Sequence, residues 1–321
     1  MVRSATGMQC VKVSFLMPFS MERLGGLTGM QPVELLERHT LYPYLVAFTP
    51  PKRREYLISK ALGSPSERKS LGVSARHGFG AGRLRRVCPH CIRDDLKQYG
   101  ESYWRRAHLL PGVHVCVQHN AWLLTTPVSV QRGAGTDQLM PTDLVGTSFK
   151  IRSRHDTLYS FAVESLNALT LPPQLRDWLA EYRAVAVTLG YGIGSTQIDR
   201  MRFAEDVKTF FGLPFLAELH SDWDKTLKYP WPSRLLIPGN KASVSKHILL
   251  RTFLKHLSPA SLPMRPPISD ISKHDKPLSS PDSGLNICLR SEVRPVHQVS
   301  TKDIPNSTGD GRGACGICRA I

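Results

Sequence analysis

No stretch of eighteen apolar residues occurs in this 321-residue sequence, which excludes a membrane-spanning helix. The run from Val13 to Phe19 is broken by Ser14 and Pro18 and is too brief for a secretory signal, so a cytoplasmic, nucleoid-associated location is expected. Acidic residues are few: 26 Asp and Glu stand against 42 Lys and Arg, for a net charge of +16. That imbalance points to an anionic partner, nucleic acid ahead of a membrane surface. Cysteine is also scarce. Seven cysteines without a secretion signal exclude a disulfide framework in favour of reduced thiols and metal ligation. No aromatic residue occurs after residue 258, where Pro, Ser, Asp, Lys and Arg dominate, and residues 258–321 are expected to be disordered. Cys315-Gly-Ile-Cys318 in that tail has no matching pair and is assigned no role, and Cys10 and Cys288 fall in no pattern.

What the sequence does contain is Cys88-Pro-His-Cys91 followed by Cys116-Val-Gln-His119, a C-x2-C-x24-C-x2-H set. Three thiolates and an imidazole suit tetrahedral Zn²⁺, and each two-residue gap lets both ligands of a pair reach one ion from a tight turn. The long gap exceeds that of a ββα finger, so two ribbon-like knuckles bracketing an insertion are expected. His90, His108 and His114 lie close in sequence and are alternatives to His119 or outer hydrogen-bond partners of it.

The rest reads as mainly α-helical with this small zinc-ribbon-like insertion. Residues 1–19 are an irregular lead-in. Ser20 caps a helix with Met21, Leu24 and Leu27 on one face, and Gln31-Pro32 opens a second with Val33 and Leu36 inward. The joint around Gly29 makes the pair either a helix-turn-helix, with Glu34, Glu37, Arg38 and His39 facing a DNA groove, or an ordinary helical hairpin. A basic helix follows from Lys52 to Leu62, with Arg53 and Arg54 available to phosphate or simply solvated. The densest positive patch is Arg83, Arg85 and Arg86, directly before the first knuckle. Inside the insertion Arg105 and Arg106 adjoin Tyr103 and Trp104, as nucleic-acid contacts or as core. Domains are expected at 20–130 and 152–257, with a linker at 131–151. The second is helical, broken at Pro172-Pro173. Its later helices are expected with Ser195-Thr196 as one cap, Phe215 to Trp223 as a short helix and Pro230 to Pro238 as a rigid connection. The last, from Ser243 to Leu257, reads as basic and amphipathic.

Val87-Cys-Pro-His-Cys-Ile-Arg-Asp-Asp-Leu96, Tyr99-Gly-Glu-Ser-Tyr-Trp-Arg-Arg-Ala-His108 and Leu110-Pro-Gly-Val-His-Val-Cys-Val-Gln-His119 resemble the TniQ family of bacterial transposition proteins. Met21 to Met30 and Val33 to Tyr44 resemble it as well. Tyr182-Arg-Ala184, the Phe203 to Phe211 segment and Trp231 to Leu254 are similar to the downstream helical region of its TnsD branch. The resemblance implies a target-site selector that binds DNA or a DNA-bound guide-RNA complex and recruits a transposition AAA+ ATPase, an adaptor and not an enzyme. It carries structural Zn²⁺ onto Cys88, Cys91, Cys116 and His119, and the helix-turn-helix onto Ser20 to Leu41. A homodimer is compatible with it. Residues 1–19 lack the family's opening helical stretch and the tail matches nothing in it, as expected of a shortened or frameshifted copy.

Two rival classes share some of these features. A zinc deaminase needs H-x-E upstream of its C-x-x-C pair, and no histidine here has Glu two residues later. A Mg²⁺-dependent nuclease needs converging carboxylates, for which Asp94, Asp95, Asp156, Asp199, Glu205 and Asp206 are the available acids. A zinc-containing helix-turn-helix transcription regulator shares the zinc site, the basic charge and the helix-turn-helix, and is the alternative to the adaptor.

Overall fold

The computed structural model describes residues 21–62, 84–129, 139–144, 156–171, 176–193, 197–223, 229–240 and 242–257. All fall in one compact unit that reaches Asp275. The lead-in, the loop that follows Leu62, Arg83, the cap at Ser195-Thr196 and the tail with Cys315 and Cys318 lie outside the described residues.

Helix α1 (Met21–Thr28) ends where Gly29 takes φ +72°, a left-handed conformation that glycine adopts without a Cβ clash. Helix α2 (Pro32–His39) starts at once because Pro32 presets the helical φ and has no amide to leave unsatisfied. The inward face differs from the expected one. Leu27 is 61% exposed and Val33 is also exposed, while Met21, Leu35 and Leu36 are buried with Tyr42, Val46 and Leu57 in a small core of their own. The proline-bounded stretch after α2 contains a further short helix, α3 (Tyr42–Val46), before α4 (Pro51–Leu62).

Strand β1 (Leu84–Val87) pairs antiparallel with β4 (Leu124–Ser129), and between them lie α5 (Pro89–Tyr99), a 3₁₀ turn (Arg106–Leu109) and the two-residue strands β2 (Val115–Cys116) and β3 (Ala121–Trp122), which pair with each other. A short α6 (Pro141–Leu144) follows. Helix α7 (Asp156–Thr170) buries Phe161, Leu166 and Leu169, and α8 (Trp178–Ala186) runs into a wider turn through Tyr191. Strands β5 (Gly192–Ile193) and β6 (Gln197–Ile198) form a minimal hairpin. Helix α9 (Arg200–Phe211) is capped by Asp199, whose carboxylate accepts from the Arg202 amide at 3.1 Å. Helix α10 (Leu213–Glu218) starts earlier than the Phe215 expected, and the Pro230 segment holds a helix, α11 (Trp231–Leu235).

The last helix, α12 (Val244–Leu257), is not amphipathic. Ile248, Leu249, Leu250, Arg251, Thr252, Phe253 and Leu254 are all buried. Arg251, 1% exposed, bonds Glu164 of α7 through Nε at 2.9 Å and Glu181 of α8 through Nη1 at 3.3 Å, and Lys255 also pairs with Glu164. Burial works against ionisation of Glu164, but the Arg251 and Lys255 charges outweigh it and hold its pKa below the usual carboxylate value.

One hydrophobic core takes in residues from Leu41 to Leu254. Phe48 stacks on His247 of α12 at 4.5 Å and meets Trp178 of α8 edge-on at 5.0 Å. Gly112, at φ +69°, sits where an added Cβ would come 2.9 Å from the Phe161 ring, so a larger residue cannot let the segment between β1 and β4 lie against α7.

Candidate metal centre

The first knuckle follows from the residues that build it. Pro89 forces Cys88 into an extended conformation (φ −101°, ψ 120°) and then serves as the first residue of α5, so Cys91 lies in the opening turn. The Cys88 carbonyl accepts from the Ile92 amide at 3.0 Å, the first bond of that helix. The second knuckle is the β2–β3 hairpin: Cys116 opposes Ala121, and the turn between carries His119, followed by Asn120 at φ 50°.

The ligand atoms of Cys88, Cys91, Cys116 and His119 lie within 4.8 Å of one another. The Cys91 and Cys116 sulfurs are 3.6 Å apart, and His119 Nδ1 stands 3.6 Å from Cys88 Sγ, 3.3 Å from Cys91 Sγ and 3.7 Å from Cys116 Sγ. A tetrahedron with metal–sulfur bonds near 2.3 Å and metal–nitrogen bonds near 2.0 Å has edges of about 3.8 Å and about 3.5 Å. The observed edges match that figure and are far too long for a disulfide, and all three cysteines are free and buried. Hydrogen bonds from the Cys116 and Cys91 thiols hold the Cys88 pKa down, while the Cys88 bond and burial push Cys116 up to about 12 and Cys91 is raised as well. A cation among the three sulfurs would favour their thiolate forms. The set could hold a metal ion.

Groups around the four ligands fix their orientation. His119 Nε2 lies 2.8 Å from an Asp94 carboxylate oxygen, which places the proton on Nε2 and turns Nδ1 toward the sulfurs. Asp94 was legible in the sequence only as one acid among several, although its position on α5, three residues after Cys91, puts both on one helical face. Arg105 binds Asp95 at 2.6 Å and Gln118 at 3.5 Å. Burial opposes the charge of Arg105, yet the Cys91 sulfur and Asp95 outweigh it and raise its pKa. The other histidines do not join the set. His108 is buried with Nε2 3.9 Å from Cys91 Sγ, and desolvation pushes its pKa down to about 4, so its ring is neutral. His114 bonds Glu218, and the His90 ring centroid lies 5.4 Å from that of His119.

The arginines expected at a DNA surface are placed differently. Arg85 is 1% exposed and lies over the Trp104 ring at 4.9 Å, because strand alternation puts it on the same inner face as Val87. Arg86 donates to the Val113 carbonyl and pairs with Glu218 at 2.9 Å. Arg106 donates to the carbonyls of Glu37 at 2.9 Å and Thr40 at 2.8 Å, at the C-terminal end of α2. Arg85 and Arg86, expected in the positive patch before the first knuckle, are thus engaged by Trp104, Val113 and Glu218, and Arg105 and Arg106, expected as nucleic-acid contacts or as core, are half-buried with partners of their own. Arg38 pairs with Glu34 at 2.7 Å on the exposed face of α2, and His39 is exposed beside it. Arg53 lies over the Tyr56 ring at 4.7 Å, and the Arg54 carbonyl accepts from Tyr42. The acids have separate partners: Asp199 caps α9, Asp206 accepts from Tyr191 at 2.7 Å and Glu205 meets Lys208 at 3.7 Å.

Residues 3–123, which hold α1 to α5 and all four ligands, match the TniQ family model, starting ahead of the Ser20 boundary expected from the sequence. Residues 3–123 form a TniQ-like segment. The chain is also similar to the Transposon Tn7 transposition protein TnsD of Escherichia coli, 28% identical over 199 residues, covering 60% of this chain and 39% of that protein. The chain therefore spans about two fifths of the length of the curated relative it matches. Among its described residues no helix is long and apolar enough to cross a membrane.

Proposed function

We propose that this chain is a DNA-transposition target-site selector, an adaptor that engages DNA or a DNA-bound guide-RNA complex and recruits a transposition AAA+ ATPase, with Zn²⁺ as a structural ion. The observation that carries the reading is the Cys88, Cys91, Cys116 and His119 set inside the TniQ segment, anchored to α2 by the two Arg106 hydrogen bonds. Thiolate and imidazole donors at tetrahedral distances suit Zn²⁺ above harder cations. Four protein ligands fill a tetrahedron and leave no position for an activated water, which favours a structural role over a hydrolytic one. When bound, the ion supplies folding free energy to the insertion.

The chain's own residues do the rest. Cys88 and Cys91 fix the start of α5, Cys116 and His119 fix the hairpin, and Arg106 transmits that rigidity to the C-terminal end of α2. In this reading α1 and α2 present Arg38 and His39 to DNA, α4 adds Arg53 and Arg54, and residues 152–257 form the TnsD-like helical part. Affinity-tagged protein purified from cells carrying the neighbouring transposition genes, with bound DNA sequenced, tests this. A co-purifying AAA+ ATPase and enrichment of an insertion site are expected. Promoter occupancy without the ATPase would make the chain a transcription regulator, and Mg²⁺-dependent strand cleavage lost on removing one carboxylate would make it an enzyme.

A further inference from the structure

The knuckle arginines are consumed internally, so the positive charge that meets an anion must lie elsewhere. Three cations, Arg200, Arg234 and Lys246, lie where the first turns of α9 and α12 meet α11, with Arg202, two residues on, on a different side of α9 over Tyr191. Helix α9 opens Arg200-Met201-Arg202, although the first turn of a helix favours acids over bases, and the Arg202 amide is already satisfied by the Asp199 carboxylate. Arg200 is tied to α11 because Ser233 Oγ donates to its carbonyl at 2.6 Å, and Arg234 is the next residue of that helix. Lys246 of α12 lies over Trp231, the first residue of α11, at 5.9 Å. Burial and the nearby Arg234 charge both lower the Lys246 pKa, against a smaller opposing effect of Asp222, so like charges are crowded here.

The way these cations are held is distinctive. Arg200 lies over the Tyr229 ring at 5.7 Å and Arg202 over Tyr191 at 5.3 Å, as Lys246 does over Trp231. None of the four is in an ion pair among the described residues, in contrast to Arg86, Arg105 and Arg251. An aromatic face orients a cation without neutralising it, and a guanidinium lying on a ring keeps its donor fork open to an anion. The rings themselves are not open to bases. Tyr191 is 5% exposed and Trp231 8%, and Arg200 lies over the face of the more exposed Tyr229. Recognition of this kind reads phosphate and not base stacking, which fits a duplex backbone better than a single strand.

We propose that Arg200, Arg202, Arg234 and Lys246 form a contact surface for the phosphate backbone of duplex DNA, built from elements that carry none of the metal ligands. The proposal rests on the DNA-binding reading above and adds a second place at which DNA is held.

Fluorescence anisotropy with the full-length, zinc-loaded chain and a labelled random-sequence duplex of roughly 30 base pairs, titrated at several salt concentrations, tests it. In R200Q/R202Q/R234Q/K246Q, affinity near 0.1 M salt should fall at least about tenfold, and the slope of log K against log salt should become shallower by about 3 to 4, some 0.9 per phosphate contact. The charge-retaining R200K/R202K/R234K variant should keep most of the affinity. Should the fourfold variant misfold by circular dichroism, the R200Q/R202Q pair should still flatten the slope by about 2. If these variants keep the wild-type affinity and slope, the surface is wrong while DNA binding stands. A wild type that binds no duplex at any salt overturns both readings, and an equal-length single strand bound more tightly than the duplex overturns the duplex assignment.

Discussion

A histidine ligand is held in register by whatever its second ring nitrogen touches, and here that group is Asp94, 2.8 Å from His119 Nε2. Asp94→Asn should weaken Zn²⁺ affinity by roughly 10- to 100-fold in chelator competition while leaving the far-ultraviolet spectrum of the loaded protein unchanged. Cys88→Ser should be harsher: metal content falls, and hydrogen exchange around α5 and the β2–β3 hairpin rises, because ligation free energy there is folding free energy. A Ser variant with full metal content would overturn the ligand assignment. The four ligands were legible because cysteine is rare and their spacing is tied to local turns. The roles of Arg85, Arg86, Arg105 and Arg106 were not, because each depends on a residue far away in sequence or on a strand's inward face. A run of arginines looks the same whether it meets phosphate, a carbonyl or a tryptophan.

At the scale of elements, helix existence was readable from capping residues and prolines, while inward faces were misread. Helix α12 looks basic and amphipathic because Lys246, His247, Arg251, Lys255 and His256 dot its sequence, yet Arg251 and Lys255 turn toward Glu164. Glu164→Gln leaves Arg251 without its closest carboxylate and should cost about 3 to 5 kcal/mol in denaturant unfolding. His247 gives this helix a pH dependence. Its Nδ1 lies 3.0 Å from the Tyr182 hydroxyl, and burial, aided by the Arg251 charge, pushes its pKa from 6.5 down to about 3. The folded value lies below the unfolded one, so as pH falls the unfolded chain takes up a proton first. Stability contributed by neutral His247 is complete above about pH 6.5 and declines toward pH 3. Between pH 6.5 and 5, above the carboxylate range, the loss should be about 1 to 2 kcal/mol. His247→Gln should flatten that part of the stability–pH curve.

For the whole molecule, a net charge of +16 gives binding to any duplex a steep salt dependence. Duplex affinity that does not change between low and physiological salt would remove the electrostatic basis of the proposed DNA contacts. The sequence conveyed this charge but not its placement, since Arg85 and Arg86 before the first knuckle are engaged internally and the cations on α11 and α12 come near one another only through packing. Chelation of the metal should loosen residues 84–129 first while the core of α7, α8 and α12, which contributes no ligand, persists, giving a two-stage unfolding curve that becomes a single transition when Zn²⁺ is restored.

The two bonds from Arg106 to the end of α2 carry one more consequence. With Zn²⁺ as the structural ion proposed above, they join a segment that folds locally to one shaped by its metal, so the first helices of a newly synthesised chain wait on an event encoded some seventy residues later. Zinc supply in the cell thereby becomes a maturation step, and a starved cell would accumulate protein whose N-terminal helices are formed but not yet aimed.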